Sequence, residues 1–302
     1  MPKLNRIDWK RGMEIMPETF IGAEEYHDQL SMINRQLVVP LAYGLVPLQE
    51  FELKCTVLDQ HIILEKVKAT IMNCDGQLIH LTEGAKIPLP RDAHGIYYLA
   101  VSIEGDKHIE ENGVPYLEKE YRYQIINLLN PYTPSLFPIL KLHAAHGDWE
   151  DMDFIPPCCT VSAHPEFARV SELCIQWLKK ILSIAGQKDY GDLCFHLGNL
   201  LIDMANTTQC GTSSMLITSL KKAVLILLTY HLLDESDQEL LTKAEEFVWR
   251  DYNPNTLFET MQDAMSLIHC SIEFLERAEP KPAPVVEKPK PEPEEEELTY
   301  ML

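Results

Sequence analysis

The chain has 302 residues and a formal charge of −20. That length accommodates one large or two ordinary domains with a buried core. The acidic balance argues against nucleic acid and against an anionic membrane surface, both of which call for clustered Lys and Arg.

The first twelve residues, MPKLNRIDWKRG, place no apolar segment behind their basic residues and do not read as a secretory signal. After Pro17, a good first-turn residue, Phe20, Ala23, His27, Leu30 and Leu37 recur at helical spacing and predict one N-terminal helix. Residues 40 to 145 then read as β structure. FELKCTVL, IILEKVKATIM, QLIHLT, IYYLAVSI and YRYQIINL are candidate strands, separated by turn signals at Asp59-Gln60, Cys74-Asp75-Gly76 and Glu83-Gly84. Strands at this spacing suggest an antiparallel sandwich.

Past residue 165 the period changes. Phe167, Val170, Cys174, Trp177, Ile181 and Ile184 alternate steps of three and four, as do Tyr190, Leu193, Leu197, Leu200 and Met204. Two further helices are expected, from about Ser213 to His231 and from about Asp237 to Arg250. Ser236-Asp237-Gln238-Glu239 reads as a capping box before the second. The densest apolar run, MLITSLKKAVLILLTYHLL, is interrupted by Lys221 and Lys222, so no direct membrane insertion is expected. Asn253-Pro254-Asn255 breaks the chain before a last helix carrying Phe258, Met261, Met265, Ile268, Ile272 and Leu275. A three-four alternation has period 3.5, the signature of a coiled-coil or bundle seam. From Glu279 onward, prolines alternate with charges and a run of glutamates follows; such a segment is expected to stay disordered, with Leu298, Tyr300, Met301 and Leu302 as an apolar tip.

The expectation is therefore an α+β protein: an N-terminal antiparallel β-sandwich with one helix over 1–160, an α-helical bundle over 161–278, and a disordered Pro/Glu-rich tail over 279–302. Between the first two lies DFIPPCCTVSAHPEFARV (153–170). Pro156-Pro157 fixes two φ angles and removes two donors, so a strand cannot pair through it, and Pro165 suits a helix start. The segment reads as a stiff corner between sheet and bundle.

Chemistry is sparse. There is no phosphate loop, no GxSxG and no HExxH. The cysteines, Cys55, Cys74, Cys158, Cys159, Cys174, Cys194, Cys210 and Cys270, include no CxxC pair and read as small buried hydrophobes. Vicinal Cys158-Cys159 point oppositely in extended chain and are poor joint ligands. His143 and His146, with Asp148, form a candidate metal constellation inside what reads as an acidic surface loop, HAAHGDWEDMD. No cofactor is expected, and the chain reads as a cytoplasmic assembly protein rather than an enzyme.

Several stretches carry a resemblance. Phe154-Ile155-Pro156-Pro157-Cys158 resembles the F-[IV]-P-P-x-L element of the TssK (ImpJ/VasE) family, trimeric baseplate subunits of type VI secretion systems; Cys159 replaces the usual leucine. Near the start, Trp9, Gly12, Met13, Pro17 and Phe20 match W-x-E-G-M-F-L-x-P-Q-H-F, while Arg11, Glu14, Glu18 and Thr19 depart from it. Tyr43 and Gly44 resemble the aromatic and glycine of P-Y-G-W-G-L. Cys74-Asp75-Gly76 and Ile87-Pro88-Leu89-Pro90 resemble a later turn and proline pair.

The resemblance implies a β-sandwich shell, a helical neck, a homotrimer, and docking onto other baseplate wedge proteins at the inner face of the cell envelope. Against the resemblance, the expectation is that the family's C-terminal head is missing, with the acidic tail in its place, and that the tail reaches a membrane-anchor protein. The family's histidine-proline element between neck helices is also absent, with Cys210-Gly211-Thr212 in that region. Candidate interface residues are Trp9, Met13, Pro17, Phe20 and Tyr43 in the N-terminal half. In the last helix they are Phe258, Met261, Met265, Ile268, Ile272 and Leu275, and at the tip Tyr300 and Leu302. Ile268→Asp is expected to break the oligomer. Two alternatives stand beside this reading. One is a receptor- or glycan-binding module with an aromatic pocket around Tyr97, Tyr98, Tyr121 and Tyr123. The other is a metal-dependent enzyme using His143, His146 and Asp148.

Overall fold

The computed structural model describes residues 10, 16–38, 43–48, 50–58, 60–74, 76–111, 114–127, 136–146, 148–188 and 190–277. The chain is α+β: antiparallel sheets come first and helices follow. The tail residues Tyr300 and Leu302, and Trp9 and Met13 near the start, lie outside the described residues.

Helix α1 (Pro17–Val38) starts at Pro17 and makes no extensive contact with the sheets or the bundle among the described residues. His27 is exposed rather than packed, and Phe20 is 60% exposed.

The first sheet is built around β3 (His61–Met72). At its start β3 lies between β2 (Glu52–Leu58) and β5 (Lys86–Pro88); at its end it lies between β1 (Gly44–Leu45) and β4 (Leu78–Leu81). Ile62 and Leu64, then Val67, Ala69 and Ile71, are buried on β3; the three-residue step between the two sets falls where the β2–β3 register shifts. The tight β2–β3 turn holds Gln60 at φ 62.

The second sheet has the order β7-β6-β8-β9, all antiparallel. Its strands are β6 (Gly95–Glu111), β7 (Val114–Ile126), β8 (Phe137–Ala145) and β9 (Asp148–Met152). The hairpin β8–β9 corrects the sequence expectation of an acidic surface loop at HAAHGDWEDM. The strand signal is carried by FPILKLHAA, where Phe137, Ile139, Leu140 and Leu142 are buried; the acids sit on the outer edge strand. The turn holds His146 at φ 53. Because β8 pairs only with residues 95–101 of β6, the rest of the β6–β7 ribbon extends beyond it. The two sheets meet where the Tyr43 ring lies edge-on to Phe137, 5.4 Å between centroids, and where the Tyr121 hydroxyl accepts from the His80 amide at 3.0 Å.

The bundle comprises α2 (Pro165–Gln187), α3 (Gly191–Cys210), α4 (Ser213–Thr229), α5 (Gln238–Trp249) and α6 (Leu257–Arg277). Pro165 opens α2, as its missing donor favours. Asp237, not Ser236, caps α5: its carboxylate accepts from the Leu240 amide at 3.0 Å, while the Ser236 hydroxyl is drawn to Asp234. The residue directly before the helix takes the cap, because its carboxylate is within reach of the first-turn amides.

The seams differ from a period of 3.5. On α2 the buried set runs Cys174, Ile175, Leu178, Ile181, Ala185, with Trp177 and Ile184 half-buried. On α6, Leu257, Met261, Ala264, Leu267, Ile268, Ile272 and Leu275 are all buried within this chain. These are broad faces of period 3.6, as in a globular core, not the narrow stripe of a coiled coil. Two fully buried serines, Ser171 and Ser271, return their hydroxyls to Phe167 and Leu267 carbonyls at 2.6 and 3.1 Å, so neither is left unsatisfied.

Candidate interaction surfaces and the sheet–bundle corner

The corner is built from three remote parts of the chain. The Leu45 amide donates to the Pro157 carbonyl at 2.7 Å, and the Leu45 carbonyl accepts from the Cys159 amide at 2.9 Å. On the other side, the Ser213 amide donates to the Cys159 carbonyl at 3.3 Å, and the Ser213 hydroxyl donates to the Cys158 carbonyl. Thr160 bridges Thr212, whose hydroxyl caps α4. Pro156 and Pro157 are buried, so the two positions without donors sit where water cannot replace a missing bond. A Cβ on Gly44, at φ 134, would lie 2.6 Å from backbone atoms of Pro157 and Cys158. Only glycine permits that approach.

The thiols here pack rather than react. Burial pushes Cys158 well up and Cys159 up to about 12, and their hydrogens point to the Pro156 and Gly44 carbonyls. His164 precedes α2, stacked at a tilt 4.8 Å from Phe51. Burial lowers its pKa to about 4, against a weaker opposing pull from Glu166, and its Nδ1 has no hydrogen-bond partner among the described residues.

The metal constellation does not assemble. His143 is on β8 opposite Glu150, and His146 is at the turn with its ring 6.1 Å from His94. Among the described residues, no three His, Cys, Asp or Glu side chains form a group fit to hold a metal ion. The expected four-tyrosine pocket is divided. Tyr121 and Tyr123 line a cleft of about 540 Å³ between the β4–β5 connection and the ribbon. Tyr97 packs on Trp149 instead, and Tyr98 on Phe154.

The interface candidates separate into three groups. Pro17 and Phe20 are exposed on α1. Tyr43 is 3% exposed and donates to the Leu136 carbonyl at 3.3 Å; it belongs to the core, not to a partner surface. Met261, Ile268, Ile272 and Leu275 are likewise corrected. They are at most 4% exposed and face α2, α4 and α5 of the same chain, with Phe258 and Met265 half-buried against the same core. The alternation of three and four fits either packing, and here it is spent inside the chain.

Exposed apolar side chains that the sequence reading missed lie elsewhere. Phe195 and Ile202 on α3 are 67% and 62% exposed, and Trp249 on α5 is 79% exposed. A signal existed: Leu200-Leu201-Ile202 and Phe247-Val248-Trp249 are runs of three large apolar residues. One helix face cannot bury three in a row, and the third is outside in both.

No family model and no curated protein sequence matches the chain. Solved structures do. A chain of the type VI secretion system TssK-TssF-TssG baseplate subcomplex aligns with TM-score 0.64 at 16% identity, over 92% of this chain and 100% of that one. A crystal structure of TssK aligns with TM-score 0.61 at 12% identity, over 89% of this chain and 70% of that one. TssK from the EAEC type VI secretion system, in complex with a nanobody, aligns with TM-score 0.64 at 14% identity, over 84% of this chain and 68% of that one. The chain has the TssK fold. Within that fold, two of the sequence stretches that resemble TssK meet: Gly44 of Tyr43-Gly44 rests on Pro157 of Phe154-Ile155-Pro156-Pro157.

Proposed function

We propose that the chain is a structural baseplate subunit of a type VI secretion system. In this reading it forms a homotrimer and joins the baseplate wedge to a membrane-anchoring component at the inner, cytoplasmic face of the cell envelope. The observation that carries the proposal is the TssK fold running through both sheets and the bundle, in a neighbour whose structure is a complex with TssF and TssG. The sparse chemistry supports a role in assembly rather than catalysis. No described helix is long and apolar enough to cross a membrane, so contact with an anchor runs through protein, with 279–302 as the connecting segment.

Sister-chain contacts are assigned to α3, because the α6 face is already covered. Phe195 and Ile202 stand two turns apart on one side, with open space over Gly198 between them. The exposed side of α1, with Phe20 and Ile21, is assigned to the wedge.

Co-expression with TssF- and TssG-type proteins, followed by size-exclusion chromatography with light scattering, tests the reading. A three-chain species that co-elutes with both is the expected result, and Phe195→Asp reduces it to one chain. A monomer that co-elutes with neither overturns it.

A further inference from the structure

Helices α4 and α5 form an antiparallel hairpin whose outer side is a groove of about 630 Å³. Leu225 and Leu228 line it from α4; Leu241, Val248 and Trp249 line it from α5. Helix α5 turns Ala244, Phe247 and Val248 to the core, whereas its Trp249 is 79% exposed and Leu225 of α4 is 43% exposed at the groove. The end toward the α4–α5 connection is closed by Leu233, His231 and Glu235.

The groove constrains its occupant. Its walls are helices whose mid-helix backbone groups are already paired, so an extended segment laid there would bury unpaired amides and carbonyls. A helix brings its backbone satisfied and needs only side-chain complementarity. Helix α5 has 12 residues, a wall about 18 Å long, matched by about three turns of a partner helix.

Charge narrows the choice further. Glu245 in the wall has no ion-pair partner among the described residues, and Glu235 is matched only by His231. The chain's own tail would bring the glutamates 294–297 next to these acids, and a second copy brings another −20. Lys or Arg flanking the apolar anchors fits instead.

We propose that the α4–α5 groove docks a basic amphipathic helix of another protein, about three turns long, anchored by Trp249 at the end of α5. The site is independent of trimer formation, which the preceding reading assigns to α3.

A labelled synthetic helix of about twelve residues, with leucines at i, i+3, i+4 and i+7 and lysines elsewhere, serves as the probe. Its counterpart carries glutamates in place of lysines. Fluorescence anisotropy with the full chain is expected to give saturable binding of the lysine peptide and none of the glutamate peptide. Trp249→Ala weakens that binding about tenfold or more, the usual effect of losing an aromatic anchor. Glu245→Lys weakens it too, by charge alone. Both positions are on the surface, so both variants keep the fold; unchanged circular dichroism checks this. Three results would overturn the proposal. The lysine peptide binds wild type and Trp249→Ala equally, or not at all. Removal of residues 279–302 strengthens binding, which gives the groove to the tail. Trp249→Ala dissociates a homo-oligomer, which gives it to a sister chain.

Discussion

Lys141 on β8 reaches Glu259 on α6, with Nζ 2.5 Å from Oε1, and so ties the second sheet to the bundle across 118 residues of sequence. The lysine side chain is 10% exposed and the glutamate side chain 41%. Removing the acid leaves an ammonium group in the interior; removing the lysine leaves a glutamate whose side chain is partly exposed, although its Oε2 is buried. Glu259→Ala is expected to cost about 2 kcal/mol, less than for a fully buried pair because solvent screens the carboxylate, and Lys141→Met less than about 1 kcal/mol. Urea midpoints measure both. A larger loss for Lys141→Met would contradict the asymmetry.

Two glycines make opposite predictions. Gly44→Ala meets Pro157 and Cys158 backbone at 2.6 Å in a left-handed conformation, and neither side can yield. A loss of about 3 kcal/mol or more, or insoluble protein, is expected. Gly198→Ala on α3 meets nothing within 4 Å and replaces a poor helix former, so a gain of about 0.5–1 kcal/mol is expected. Thermal melting of the pair decides; equal effects would count against the close approach at the corner.

His164 sets a pH window. Its pKa falls from an ordinary 6.5 to about 4 through burial. Between those values the unfolded chain binds the proton and the folded one does not, so stability is full above pH 6.5 and declines as pH falls toward 4. The shift corresponds to about 3 kcal/mol. His164→Phe removes that part of the slope while keeping a ring against Phe51. Denaturation midpoints from pH 7 to 4 that decline equally in both proteins would exclude His164 as the source.

Ile268→Asp tests folding rather than assembly. Ile268 is 0% exposed, and a carboxylate there is buried without a partner. The variant is expected to lose about 4 kcal/mol or more, seen as a collapsed urea midpoint in dilute protein. Chains that stay folded but separate would restore the sister-chain role of that face.

Much of this architecture was legible because its signals are local. Pro165, Pro17 and Asn253-Pro254 mark helix starts, and the change from strand runs to three-four spacing marks where sheets give way to helices. What escaped depends on partners remote in sequence. Strand β8 was hidden because its own Lys141 and His143, with His146 at the turn, read as polar, though Lys141 finds its acid on α6. The destination of the α6 face was equally invisible, because periodicity says that a face is apolar and not which surface covers it. The thiol pair was read correctly as packing, since steric opposition along an extended chain is itself local.

The bonds that Leu45 and Ser213 make to residues 157–159 have a consequence for how the molecule comes apart. The first strand and the start of the fourth helix each borrow main-chain partners from the same short strip, so neither layer keeps its edges satisfied if the other leaves. Heating should therefore melt sheets and helices in a single calorimetric event, and severing the backbone near Thr160 should yield two insoluble fragments rather than two autonomous modules.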